Sequence, residues 1–112
     1  MGSRANAYLE LSVYIAQYEE YTQPLINHLA ERKVGHWDLH VRELAAKALN
    51  RLAKVAPSYL ADTVMPQLLK NVESLDDLYL KHGSILAIGE LTLGLSNEAQ
   101  KNGKDLTLYL GK

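Results

Sequence analysis

Apolar residues fall on helical faces along most of this chain. Leu9, Val13 and Ala16 line one face of the stretch from Asn6 to Gln17, which predicts a first helix. Tyr18 to Tyr21 reads as a turn, and Thr22 is placed to cap a second helix. Pro24 then falls in the first turn, where its missing N–H costs nothing. Leu25, Ile26 and Leu29 make the inner stripe, and the helix is expected to run to about Lys33, with Gly35 as its stop. Arg32 and Lys33 suit the negative end of its dipole.

The strongest pattern is a return. DLHVRELAAKALNRL, from Asp38 to Leu52, comes back as DLYLKHGSILAIGEL, from Asp77 to Leu91, 39 residues later. Asp38 pairs with Asp77, Val41 with Leu80, Arg42 with Lys81, Ala48 with Ala87, Leu49 with Ile88 and Leu52 with Leu91. A period of this length belongs to paired-helix solenoids, in which no unit buries its apolar stripe alone and each stacks on its neighbours. The predicted fold is all-α, a right-handed solenoid of about two and a half helix pairs over residues 4–95. Residues 96–112 are expected to be a loop and tail.

Within that frame Asp38 caps a third helix whose inner stripe is Val41, Leu44, Ala45, Ala48, Leu49, Leu52 and Val55. Pro57 is expected to end it, with Ser58 or Asp62 starting a fourth helix that kinks at Pro66. Asp76 and Asp77 cap a fifth, carrying Leu80, Ile85, Ala87, Ile88, Leu91 and Leu95. Gly83 and Gly89 lower its propensity and imply close packing. Measured from Pro24 and Pro66 to the following aspartates, the turn at VGHW is the longer one, and such a loop often marks a contact surface. From Ser96 the run SNEAQKNGKD is polar, and LTLYL fits strand alternation as well as helical spacing at Leu106, Tyr109 and Leu110.

Composition narrows the function classes. Hydrophobic residues make up 47% and charged residues 22% of the 112, which is globular. The net charge of -1 offers no basic footprint for nucleic acid or an anionic membrane. Cysteine is absent, so disulfides, thiolate zinc sites and cysteine nucleophiles do not arise. No stretch approaches a membrane span, and Glu10, Ser12 and Gln17 interrupt any signal-like apolar run. A soluble intracellular protein is expected.

No catalytic constellation is legible. The glycines of GELTLGLS lie within a helical pattern, and the serines lack a nearby histidine and acid in any known arrangement. The expectation is a non-enzymatic chain without cofactor. His36 and His40 flank Asp38 at a spacing that can hold zinc, but His36 precedes the helix cap and no further ligand completes the set. Four residues are candidates for partner contact. Trp37, the only tryptophan, sits at the VGHW turn, where it either anchors a partner or folds back over the helix end. Lys47, Arg51 and Lys54 line successive turns of the third helix, either as a solvated face or as a cationic contact. Tyr8, Tyr14, Tyr18 and Tyr21 read as half-buried core with wet hydroxyls.

The aspartate followed four residues later by a cation, with a proline early in the preceding helix, resembles the HEAT repeat. That resemblance implies an inter-repeat ladder of Asp38, Arg42, Asp77 and Lys81, in which each cation pairs with the aspartate of an adjacent repeat. Armadillo repeats need a third short helix, for which there is no room between Val55 and Leu60. Three stretches resemble a narrower family. RANAYLELSVYIAQY from Arg4, HWDLHVRELAAKAL from His36 and KHGSILAIGEL from Lys81 look like successive segments of the tubulin-folding cofactor D family, over about Arg4 to Leu95.

This resemblance implies a segment of a far longer chaperone that binds β-tubulin. Such a chaperone assists assembly and disassembly of the α/β-tubulin heterodimer with other tubulin cofactors, and engages a small Arf-like GTPase in a GTPase-activating complex. It implies a cytoplasmic, cytoskeleton-associated setting. Two alternatives stay open: spacer repeats that touch no client, and a HEAT adaptor unrelated to tubulin. Apolar surface left uncovered at the two ends predicts self-association.

Overall fold

The computed structural model describes residues 3–102, and every regular element among them is helical. In chain order these are α1 (Ser3–Ala16), α2 (Glu19–His28), α3 (Leu39–Leu52), α4 (Pro57–Tyr59), α5 (Met65–Asn71) and α6 (Leu78–Asn102). Two π-helical runs interrupt the pattern: Leu29–Lys33 continues α2, and Leu60–Val64 joins α4 to α5. Helix α3 packs between α1 and α6, so these three form a row. Helix α2 and its π-helical run lie on α1 and α3, and α5 lies on α6. The Tyr59 hydroxyl, donating to Asn27 Oδ1 at 2.6 Å, ties α4 to α2.

The core follows the stripes read from the sequence. Leu9 and Ala16 of α1 are buried, as are Ala45, Ala48, Leu49 and Leu52 of α3 and Ala87, Leu91 and Leu95 of α6. Each buried leucine contributes about 1.5 to 3 kcal/mol relative to exposure. Two glycines of α6 set how closely the row packs. A Cβ on Gly83 would collide with the Val34 carbonyl, and one on Gly94 would stand 2.6 Å from the Asn50 carbonyl oxygen. Gly89, expected to pack as tightly, has nothing among the described residues within 4 Å of a Cβ position. Ile85, placed on the inner stripe, is 51% exposed.

Several boundaries differ from expectation, each for a local reason. Thr22 is not an N-cap: α2 begins at Glu19, and the Thr22 hydroxyl donates to the carbonyls of Ala16 and Tyr18, joining the end of α1 to α2. Pro24 therefore lies inside α2, where the carbonyl it leaves unpaired belongs to exposed Glu20. Pro57 does not terminate a helix but opens α4, with its fixed φ at the first helical position, α3 having closed at Leu52. Neither Ser58 nor Asp62 starts that helix.

The irregularity foreseen at Pro66 takes the form of the π-helical run just before it. Both runs begin with the same dipeptide, Leu29-Ala30 and Leu60-Ala61, and all four residues are buried. Each is closed by an i→i−5 bond, from the N–H of Val34 to Leu29 O and from that of Met65 to Leu60 O. In each run the widened turn coincides with two consecutive buried side chains.

The inter-helix turns cover residues 34–38 and 72–77, so the first is not the longer. The proline measure failed because Pro24 and Pro66 occupy different places in their helices. Helix α6 does not stop near Ser96 but continues to Asn102, since Ala99 (1% exposed) prolongs the stripe of Leu91 and Leu95 one turn further. Asn97 and Gln100 are exposed on the outer face of that turn. Leu106, Tyr109 and Leu110 lie outside the described residues. Of the clustered tyrosines, only Tyr8 is half-buried; Tyr14, Tyr18 and Tyr21 are exposed.

Candidate functional site

The four ladder residues lie at the starts of α3 and α6 but make no hydrogen bond or ion pair with one another across the two helices. Asp38 Oδ1 accepts from the His40 N–H at 2.8 Å and Asp77 Oδ1 from the Leu80 N–H at 2.9 Å, so both carboxylates cap helices. Arg42 is 7% exposed and reaches across the row, but not to a carboxylate. Its Nη1 donates to the carbonyls of His36 and Trp37, each at 2.9 Å, and its Nε donates to His82 Nδ1 at 3.2 Å. The guanidinium carbon stands 5.1 Å from the centroid of the Tyr79 ring. The expected aspartate–cation rung is thus replaced by an imidazole, a phenol ring and two turn carbonyls. Half-buried Lys81 makes no ion pair among the described residues.

His36 Nδ1 accepts from the Asp38 N–H at 3.0 Å, and His40 stands 3.7 Å from Glu43, so the two histidines have separate partners. Trp37 does not fold back over the helix end. It is 70% exposed, with its ring 5.2 Å from that of His36.

The cationic candidates lead to a groove between α3 and α6. Ala46, Glu43 and Lys47 line it from α3, and Ile85, Leu86, Gly89, Glu90 and Leu93 from α6, around a volume of about 330 Å³. It continues into a polar hollow of about 190 Å³ bounded by Lys47, Asn50, Arg51 and Glu90. Asn50 Nδ2 donates to Glu90 Oε1 at 3.0 Å and holds that carboxylate at the junction. Open Gly89 lies between exposed Ile85 and Leu93, one turn from each. The result is an apolar wall on α6 facing a lysine and an arginine on α3. Lys47 and Arg51 are brought together here, while Lys54 and Trp37 lie outside the lining.

A larger hollow, about 600 Å³, opens at the other end of the helices between the α1–α2 and α3–α4 turns. Its polar lining includes Glu19, Glu20, Gln23 and Tyr59, without an apolar wall of comparable exposure. Nearby, the Tyr14 and Tyr18 hydroxyls are 3.2 Å apart, and this hydrogen bond, with slight burial, raises the Tyr18 pKa above the usual tyrosine value. Burial raises that of Tyr8 as well, against the opposing hydrogen bond of Ser12.

Sequence reasoning missed His82, Tyr79, Ile85 and Glu90. His82 and Tyr79 correspond in the repeat to Glu43 and His40, so the repeat itself carried no sign of their contact with Arg42. Ile85, read as part of the inner stripe, corresponds to Ala46, but Ala46 is buried whereas Ile85 stands exposed at the rim of the groove.

Fold and groove define an all-α helix row bearing an open surface groove, in which no helix of the described residues is long and apolar enough to cross a membrane. No family model matches the chain, and no solved structure matches it. Over 96 residues it is 32% identical to the tubulin-specific chaperone D of Dictyostelium discoideum. The matched stretch is 85% of this chain and 6% of that protein, so the chain spans a small part of its relative's length. The family resemblance read from three segments is borne out, and the chain is a tubulin cofactor D-like segment.

Proposed function

We propose that this chain is a protein-binding scaffold of the HEAT-repeat type, part of a chaperone that holds β-tubulin while the α/β heterodimer is assembled or taken apart. The match to a tubulin-specific chaperone supports the client, and the α3–α6 groove carries the assignment of the surface. Its exposed Ile85 and Leu93 offer apolar anchorage, and Lys47 and Arg51 suit a client segment bearing carboxylates. The mechanism is differential affinity without bond chemistry: a surface that binds one assembly state more tightly shifts the equilibrium by the difference. Other tubulin cofactors and a small Arf-like GTPase belong to the same proposal, as partners of the longer chaperone in the cytoplasm.

The test is capture of purified β-tubulin and of the α/β heterodimer by the immobilised chain, beside a Lys47→Glu, Arg51→Glu, Ile85→Ser variant. Specific capture lost in a variant of unchanged melting temperature is the expected result. No capture by the folded parent chain would leave the segment as a spacer that sets the curvature of a longer stack.

A further inference from the structure

The two turn-to-helix segments HWDLH (36–40) and LDDLY (75–79) occupy corresponding places in the repeat and contain no lysine or arginine. Between them they present Trp37, Leu39, Leu75, Leu78 and Tyr79, of which Leu75 (88%), Leu78 (71%) and Trp37 (70%) are the most exposed large apolar side chains among the described residues. These belong to one firm edge rather than two loose loops. Gly35 packs on Leu80, and the Val34 carbonyl occupies the space where Gly83 would carry a Cβ. Arg42 joins the Trp37 carbonyl to the Tyr79 ring.

Asp38, Asp76 and Asp77 are interspersed among the apolar residues, and the neighbouring guanidinium of Arg42 is buried in its own contacts. This edge lies at the ends of the helices, whereas the row α1, α3, α6 extends sideways, so a further helix pair added to the row leaves it open. Its charge is opposite to that of the Lys47 and Arg51 wall. Anionic lipid and nucleic acid are disfavoured by the three carboxylates, while a cation is favoured both by them and by the exposed rings of Trp37 and Tyr79. We propose that this turn edge is a second docking surface, distinct from the groove, which takes a cationic amphipathic segment of a protein partner. Apolar side chains of that segment cover Leu75, Leu78 and Trp37, and its lysines or arginines meet Asp76 and Asp77.

The single tryptophan makes the test direct, because Trp37 emission reports the edge alone. The probe is a short synthetic peptide of leucine and lysine at helical spacing, compared with its leucine–glutamate counterpart. The lysine peptide is expected to shift the emission to the blue and to bind about tenfold more tightly than the glutamate peptide, a difference of about 1.4 kcal/mol. Asp76→Lys with Leu78→Ser is expected to weaken it about tenfold or more, as is Asp76→Asn, to a smaller extent, with every apolar contact retained. Glu19→Lys, which makes the same charge change as Asp76→Lys at the far end of the helices, is expected to leave binding nearly unchanged. Equal binding of both peptides, no loss in the Asp76→Asn variant, equal loss in Glu19→Lys, or an equal blue shift on phosphatidylserine vesicles would each overturn the proposal. Loss in an Ile85→Ser, Leu93→Ser variant instead would assign the peptide to the groove.

Discussion

Helices α3 and α6 are two copies of one pattern that share an inner face and differ on the outer one. Asp38 and Asp77 both cap, Ala48 and Ala87 both pack at zero exposure, and so do Leu52 and Leu91. On the outer face Lys47 corresponds to Leu86, Arg51 to Glu90 and Lys54 to Leu93, and buried Ala46 corresponds to exposed Ile85. Where two equivalent helices lie side by side, that divergence produces a groove with unlike walls: Lys47 and Arg51 with Glu43 on the α3 side, and mostly apolar residues with Glu90 on the α6 side. The inner face is constrained by packing and stays alike, whereas the outer face is free to differ and so carries recognition.

The comparison is sharpest where equivalent residues do different work. Arg42→Met would leave the His36 and Trp37 carbonyls without their donor and is expected to cost about 2 to 3 kcal/mol, while Lys81→Met at the equivalent place changes stability by less than about 0.5 kcal/mol. Urea unfolding of the two variants measures both, and equal losses would break the asymmetry. A smaller contrast lies within α6. Gly83→Ala is expected to cost about 2 kcal/mol through its collision with Val34, whereas Gly89→Ala, in open space within a helix, is expected to gain about 0.5 to 1 kcal/mol. Thermal melts with opposite signs would support the packing described; a gain at both would show that α6 stands off from the 34–38 turn.

The smallest expected effect concerns Ser84, the counterpart of Ala45. It is fully buried, and its hydroxyl has no hydrogen-bond partner among the described residues. Ser84→Ala restores the α3 residue at that place and is expected to raise stability by about 1 kcal/mol. A loss would mean that the hydroxyl is bonded in solution.

Much of the helical framework was legible because its signals are local. The capping of α3 and α6 by Asp38 and Asp77 follows from a short oxygen-bearing side chain placed just before an apolar stripe. Leu9 and Ala16, or Ala48 and Leu52, announce their burial through spacing alone. Prolines misled because each is compatible with more than one place: Pro24 sits inside a helix, and Pro57 starts one rather than ending it. The two π-helical runs left no mark recognisable in advance, although both begin with Leu-Ala. Each widened turn accompanies a buried Leu-Ala pair, and burial against distant residues is a demand that no local propensity encodes.

The candidate site was only half visible. Lys47 and Arg51 were identifiable as successive cations on one helix face, but the apolar wall opposite comes from residues roughly 40 positions further along. Arg42 was recognised as a link across the repeat, yet its partners are His82 and Tyr79 rather than an aspartate. The sequence by itself determined the helices, their caps, their inner stripes and the family resemblance, because these depend on neighbours within a few residues or on a matched order of motifs. The tertiary structure alone decided which outer faces meet, which cation is buried, and where tryptophan and leucines are left in water. Those outcomes depend on how closely α6 approaches α3, at Gly94, and the turn that precedes it, at Gly83.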